Sequence, residues 1–510
     1  MAITIRKQPQ RLQPTYNPMI IVATSSAQSK DGFLMVGDIY VNGTYVTRMK
    51  VATNPDGYCV FDIHKHVENR LSYDFYPNSF GWSQATQSQA TYSVLLGEEY
   101  RPTWKFVDNY FLPGGVVGFI GTQSVNPSPE FQVGNTIFVQ QNTPFTFSQY
   151  NGNTTITAIY ATSSPTAIYP GNHWIIETSK PYLGNTPLNG GTISLAQFQT
   201  YIGTNVNNVG NTSSSANQKW AFNGVNTFLE DISWTQSKYA AGTYSGGTAS
   251  FLTNLPETGW KVGTFSRMWL NVYQDSTNDI TSLKIKTNKG TFTLANTLTT
   301  PTLANKQNIL RVGCGPWQFL TSTASITAGV GATFPMFDVN TTEYSIWCEN
   351  STNQMFIKPI TFKVDDYCSR FEKIQLVFLD KLGSFVPFTF NYANRLNKTI
   401  SRTSYQQHYG EYAPASNNWT YNPWDRGKKS LDTQITEVYT ITSDWVTQTQ
   451  SDYLMTLMES PEVYWVKEDG TTVAVSLTVS GTEKKQTIND LIINYTITFE
   501  LSNKNNTQRG

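Results

Sequence analysis

The sequence predicts a mainly β protein built of several β-sandwich and small-barrel domains. Three observations carry that expectation. First, charged residues make up only 14% and aromatics 14% of the 510 residues, so Asn, Thr, Ser and Gln must supply the polar surface. Thr and aromatics suit a pleated, half-buried surface, whereas Asn and Gly suit turns. Second, turn pairs such as Asn42-Gly43 and Asp56-Gly57 punctuate short apolar runs. Third, Ile493, Tyr495, Ile497, Phe499 and Leu501 alternate with polar residues, the period of a strand with one wet face.

A chain of 510 residues leaves room for about three domains of roughly 100–200 residues each. The first segment, 1–125, begins with a polar, Pro-interrupted arm holding Pro9, Pro14 and Tyr16-Asn17-Pro18. It reads as extended and able to reach a neighbouring subunit, which makes Tyr16 and Asn17 candidate partner contacts. Phe33–Val41 and Thr44–Val51 then flank Asn42-Gly43 as a hairpin, because both turn residues need positive φ. Strands Tyr58–Ile63, Thr91–Leu96 and Trp104–Tyr110 complete a sandwich.

Residues 126–186 hold short strands between Gly-rich turns and suit a small closed barrel. Residues 187–219, with Asn189-Gly190-Gly191 and Ser213-Ser214-Ser215, read as a flexible linker or flap. A second sandwich is expected over 220–350, with strands Met268–Tyr273, Leu283–Thr287 and Gly290–Leu294. The C-terminal β-domain, 351–510, contains the hairpin Lys373–Leu379 and Phe385–Asn391 around Asp380-Lys381-Leu382-Gly383. One helix is expected at 449–459, where Tyr453, Leu454, Leu457 and Met458 share a face and Pro461 ends the run.

Lys plus Arg equals 36 and Asp plus Glu equals 36. A neutral chain has no long-range pull on nucleic acid or an anionic membrane, and little repulsion between copies. The N-terminus lacks an apolar core of signal-peptide length and no apolar run reaches a membrane span, so synthesis in a cytoplasm is expected. Cys59, Cys314, Cys348 and Cys368 lie far apart and read as reduced, buried thiols.

Chemistry-bearing constellations are sparse, so no enzyme, catalytic residue or cofactor is expected. His64 and His66 would share a face if they lay on a strand, with Asp62 beside them, a spacing that metals use. The bland alternative is two surface rings near Glu68 and Arg70. Asp365-Asp366 and Glu98-Glu99 are adjacent pairs, and neighbours on a strand point to opposite faces. Gly81–Ala85 resembles a nucleophile elbow without its closing Gly. Trp419 and Trp424 bracket Tyr421-Asn422-Pro423 in a loop-like stretch and are candidate partner contacts.

Several segments together resemble a known class of protein. They are Gly32–Arg48, Gly57–Leu71 (GYCVFDIHKHVENRL), Lys373–Asn391 (KIQLVFLDKLGSFVPFTFN), Ser460–Tyr464 and Leu491–Asn503. As a pattern spanning most of the chain, they resemble virion structural proteins of tailed bacteriophages that infect Bacteroidetes, crAss-like phages included. The resemblance implies a tail, neck-ring or baseplate component, made in the bacterial cytoplasm and built of β-domains around a symmetric axis. Its partners would be copies of itself and other virion tail or neck proteins. The resemblance carries over no catalytic residue. Two alternatives stay open. One is a receptor-binding spike that takes host glycan on exposed aromatics. The other is a glycan-degrading enzyme, which would need two carboxylates roughly 5–10 Å apart across a cleft.

Overall fold

The structure, a computed structural model, describes residues 3–112, 116–120, 131–141, 152–162, 173–179, 188–195, 199–202, 208–210, 218–241, 249–274, 280–298, 308–365, 370–478 and 493–503. The protein is mainly β, as the sequence predicts. It divides into two compact units: Met1–Arg70 with Ala90–Ala221, and Leu71–Gln89 with Phe222–Gly510.

In the first unit, Ile3–Lys7, Ile20–Ser25 and Cys59–Asp62 form a three-stranded sheet. A second sheet orders Leu12–Pro14, Lys219–Phe222, Gln89–Tyr100, Leu34–Val41 and Thr44–Val51. The Asn42-Gly43 hairpin forms with φ of 50° and 76°, the left-handed values that its turn type requires. Gly37 lets the two sheets close, because a Cβ there would lie 3.2 Å from the Phe61 ring and 3.3 Å from Val94. The N-terminal arm is therefore not a bare extension. Ile3 and Leu12 are buried, and their segments pair as strands.

The small barrel is closed and takes six strands in the order Val116–Ile120, His173–Thr178, Gly152–Thr162, Thr136–Gln141, Leu188–Leu195 and Thr103–Leu112. Ile137, Ile156, Ile176 and Leu195 are buried. Both ends of the 126–186 segment thus fall inside the barrel. The segment read as linker, 187–219, supplies strands Leu188–Leu195, Gln199–Ile202 and Asn208–Val209. Closure removes sheet edges, so a Gly-rich segment can serve as a strand when its neighbours supply the hydrogen bonds.

The second unit contains an eleven-stranded and a six-stranded sheet. Leu270, Val312, Leu376, Phe378 and Phe388 of the larger sheet share one core with Leu283, Ile285, Phe292, Ile346 and Phe362 of the smaller. The helix forms at Gln448–Glu459, where the Thr447 side chain accepts from Gln450 N–H and the Gln450 side chain accepts from Thr447 N–H, a reciprocal cap. It buries Tyr453, Leu454 and Leu457 in the same core. Trp260 is fully buried and its Nε1 donates to the Pro387 carbonyl at 3.0 Å, which satisfies the polar end of a large apolar side chain.

The segment Leu71–Gln89 belongs to this second unit, although the residues on both sides of it belong to the first. Phe75 stacks on Tyr464 at 3.8 Å, and Trp269 Nε1 donates to Ser79 Oγ at 2.9 Å. These contacts cover the buried cluster of Trp269, Val377, Leu379, Phe385 and Val466.

Candidate assembly interface

Asn394–Gln406 lies at one end of the eleven-stranded sheet and, among the described residues, pairs only with Lys428–Thr442. Their antiparallel register runs from Asn394 opposite Ile441 to Gln406 opposite Lys428. The next strand, Thr496–Leu501, pairs with only the Val438–Thr442 part of Lys428–Thr442. From Lys398 opposite Glu437 outward, the two strands continue as a ribbon with no third strand among the described residues. At about 3.3 Å per residue that ribbon is roughly 30 Å long. Every residue of Asn394–Gln406 after Asn394 is exposed.

The ribbon has two chemically different faces. On one, the Lys398–Glu437 ion pair of 2.6 Å is followed by Ile400 opposite Ile435, in line with Leu396 opposite Tyr439 at the ribbon's base. On the other, Asn397, Thr399, Ser401 and Thr403 oppose Val438, Thr436, Gln434 and Asp432. Leu431, which is 60% exposed, is the extra residue of a bulge opposite Thr403/Ser404. Such a bulge re-aims the strand and leaves its extra residue unpaired.

The tip folds on itself. Gln407 N–H donates to the Gly427 carbonyl at 2.7 Å, closing the neck of the loop. Glu411–Ala413 pairs with Asn418–Thr420, and the turn between them holds Asn417 at φ 54°. Gly410 has φ 89°, and a Cβ there would meet the Thr420 carbonyl at 2.4 Å, so only glycine fits. Trp419 Nε1 donates to the Tyr409 carbonyl at 3.0 Å. Tyr409 meets Tyr421 edge to face at 5.7 Å, so this pair does not offer the coplanar surface on which a sugar ring would stack. Trp424 is 77% exposed and Trp419 54%, and Tyr412 and Tyr421 are exposed beside them.

The structure thus places Trp419 and Trp424 together on one projecting tip. Tyr16 and Asn17 belong to the other unit. Tyr16 is half exposed, whereas Asn17 is only 6% exposed, so of that pair Tyr16 alone offers a surface. Tyr409, Tyr412, Tyr421 and Leu431 were not singled out from sequence. Their signal was available: two Thr- and Ser-rich runs of similar length flank one aromatic stretch.

The remaining candidates do not converge. His64 and His66 lie on the short helix His64–Glu68 rather than on a strand, so two-residue spacing no longer puts the rings on one face. His64 Nδ1 lies 2.8 Å from Asp62 Oδ1. Among the described residues no group of three or more His, Cys, Asp or Glu could hold a metal ion. Ser25 Oγ donates to Glu98, whereas Lys50 pairs with Glu99. Trp82–Gln84 of the elbow-like segment is a strand at the other end of the larger sheet. Asp366 and Cys368 lie outside the described residues. Cys59, Cys314 and Cys348 are buried free thiols, and burial pushes each above the ordinary thiol range. Among the described residues no helix is long and apolar enough to cross a membrane.

Comparison with protein-family models, with curated proteins and with solved structures gave no match.

Proposed function

We propose that this chain is a structural protein of a tailed-phage virion, which closes into a homo-oligomeric ring in the tail, neck or baseplate through β contacts between copies. The projecting ribbon is the observation that carries the reading. An isolated two-stranded hairpin is marginal in water. This one also exposes Leu396, Ile400, Leu431, Trp419 and Trp424, apolar surface that a partner would cover. Among the described residues its outer strand has an open edge, which strand addition can use. A ribbon reaching from one copy onto a different surface of the next makes a head-to-tail contact, and such contacts form a ring when the rotation between copies closes. The equal numbers of basic and acidic residues favour close packing of copies. Other tail or neck proteins would stack on such a ring.

Electron microscopy and light scattering of the purified chain at micromolar concentration, with mass spectrometry of purified particles, test this proposal. Closed rings and a fixed copy number per particle are expected. A persistent monomer that is also absent from particles would remove it.

A further inference from the structure

A shallow cleft opens in the second unit and is lined by none of the ribbon's tip residues. Its walls come from five places in the sequence: Lys261–Phe265, Asp365 just after Met355–Val364, the hairpin Ile374–Leu379/Phe385–Phe390 and its flanks, the turn that leads into Gln448–Glu459, and Val466–Glu468.

Two features give the cleft its chemistry. Phe265 is 64% exposed and Trp445 52%, although both are large aromatics lining a concavity, while Phe388 is almost fully buried there. Polar groups stand beside these rings. Lys261 Nζ lies 3.4 Å from Asp444 Oδ2 and 3.6 Å from Asp365 Oδ2, so one ammonium holds two carboxylates. Asp365 N–H donates to the Val262 carbonyl at 2.9 Å, which fixes its backbone against the Lys261 strand. The lining also includes Lys373, Lys467 and Glu468. Three ammonium groups and three carboxylates thus line the cleft, and no net field selects an anion or a cation.

We infer that this cleft binds a neutral oligosaccharide. A sugar ring has an apolar C–H face that an exposed indole or phenyl covers, and a rim of hydroxyls that both donate and accept. Ion-paired Lys261, Asp365 and Asp444 supply a donor and two acceptors for such hydroxyls. A charged glycan would leave one sign of the lining unmatched.

The test uses the full-length chain on a printed array of neutral, sialylated and sulfated oligosaccharides, with a tryptic peptide mixture as a further arm. Affinity for the best-bound neutral oligosaccharide is then measured for wild type, Trp445→Ala, Asp444→Asn and, as a control, Trp424→Ala. Neutral oligosaccharides should be retained, and Trp445→Ala and Asp444→Asn should each weaken binding about tenfold or more, the loss expected on truncating an anchor. Trp424→Ala should bind like wild type, and all three side chains are exposed enough that thermal unfolding should not move. Retention of no neutral oligosaccharide, retention of acidic glycans or peptides alone, or affinity unchanged in Trp445→Ala and Asp444→Asn would each overturn the inference. None of these outcomes depends on whether the chain forms rings.

Discussion

The phenol of Tyr453, on the helix Gln448–Glu459, donates a 3.2 Å hydrogen bond to the carboxylate of Asp380, in the loop between Ile374–Leu379 and Phe385–Phe390. Asp380 is buried, and it also accepts from Leu382 N–H at 2.7 Å, from Ser384 N–H and Asn254 N–H at 3.3 Å each, and from the Thr253 hydroxyl. One carboxylate thus ties the hairpin loop, the helix and the segment at Thr253 together.

Removing the acceptor should cost more than removing one donor. Tyr453→Phe leaves Asp380 its other donors and should lower stability by about 1–2 kcal/mol. Asp380→Ala leaves buried N–H and hydroxyl groups without an acceptor and should cost about 3–5 kcal/mol. The two sites touch, so the double variant should lose less than the sum. Urea unfolding curves of the three variants check this; equal losses in the two single variants would contradict it.

The same carboxyl has a signed pH dependence. Burial pushes the Asp380 carboxyl above its usual range, against the pull of its donors. Between the ordinary Asp value of about 4 and that higher value, the folded chain keeps a proton that the unfolded chain has released. This group's contribution is therefore fully present below about pH 4 and lost as pH rises through the folded value. Asp380→Asn does not titrate, so the stability of wild type relative to this variant should fall as pH rises across that window. A difference that stays flat, or grows, with rising pH would contradict the assignment.

Asp338 should behave in the opposite sense. Lys289 at 2.6 Å, with donors from Thr341, Asn288 and the Asn340 backbone, holds its carboxyl well below the usual range. The folded carboxylate stays ionised where the unfolded one has taken a proton, so its contribution is present above about pH 4 and lost as pH falls through the folded value. Asp338→Asn should lower the urea midpoint at neutral pH, and the gap to wild type should narrow as the solution is acidified. A gap that widens on acidification would contradict the pairing.

Local signals made part of this structure legible in the sequence. Asn42-Gly43, the Asp380–Gly383 loop and the capped helix each depend on residues within one or two turns of chain. The alternation at Ile497 and Phe499 likewise matches two buried side chains. The rest depends on non-local partners. Pro9 and Pro14 suggested a bare arm, yet Leu12–Pro14 sits at a sheet end, where a missing N–H is tolerated. The His64–Glu68 helix has no side-chain cap at Ile63 to announce it. Nothing local shows that Leu71–Gln89 joins the unit formed by later residues. The ribbon was missed because both its faces are exposed, so Leu396 and Ile400 show no strand period. The cleft was missed because Lys261, Asp365 and Asp444 meet only when three separate segments fold together.

The most direct measurement is mass photometry of the full-length chain beside a variant in which the tip aromatics are removed, Tyr421→Ala with Trp419→Ala and Trp424→Ala. These side chains are exposed, so the variant should keep the wild-type unfolding midpoint. Wild type should form one discrete oligomer, and the variant should be monomeric at the same concentration. A wild type that stays monomeric, or a variant that assembles as wild type does, would contradict assembly through the ribbon.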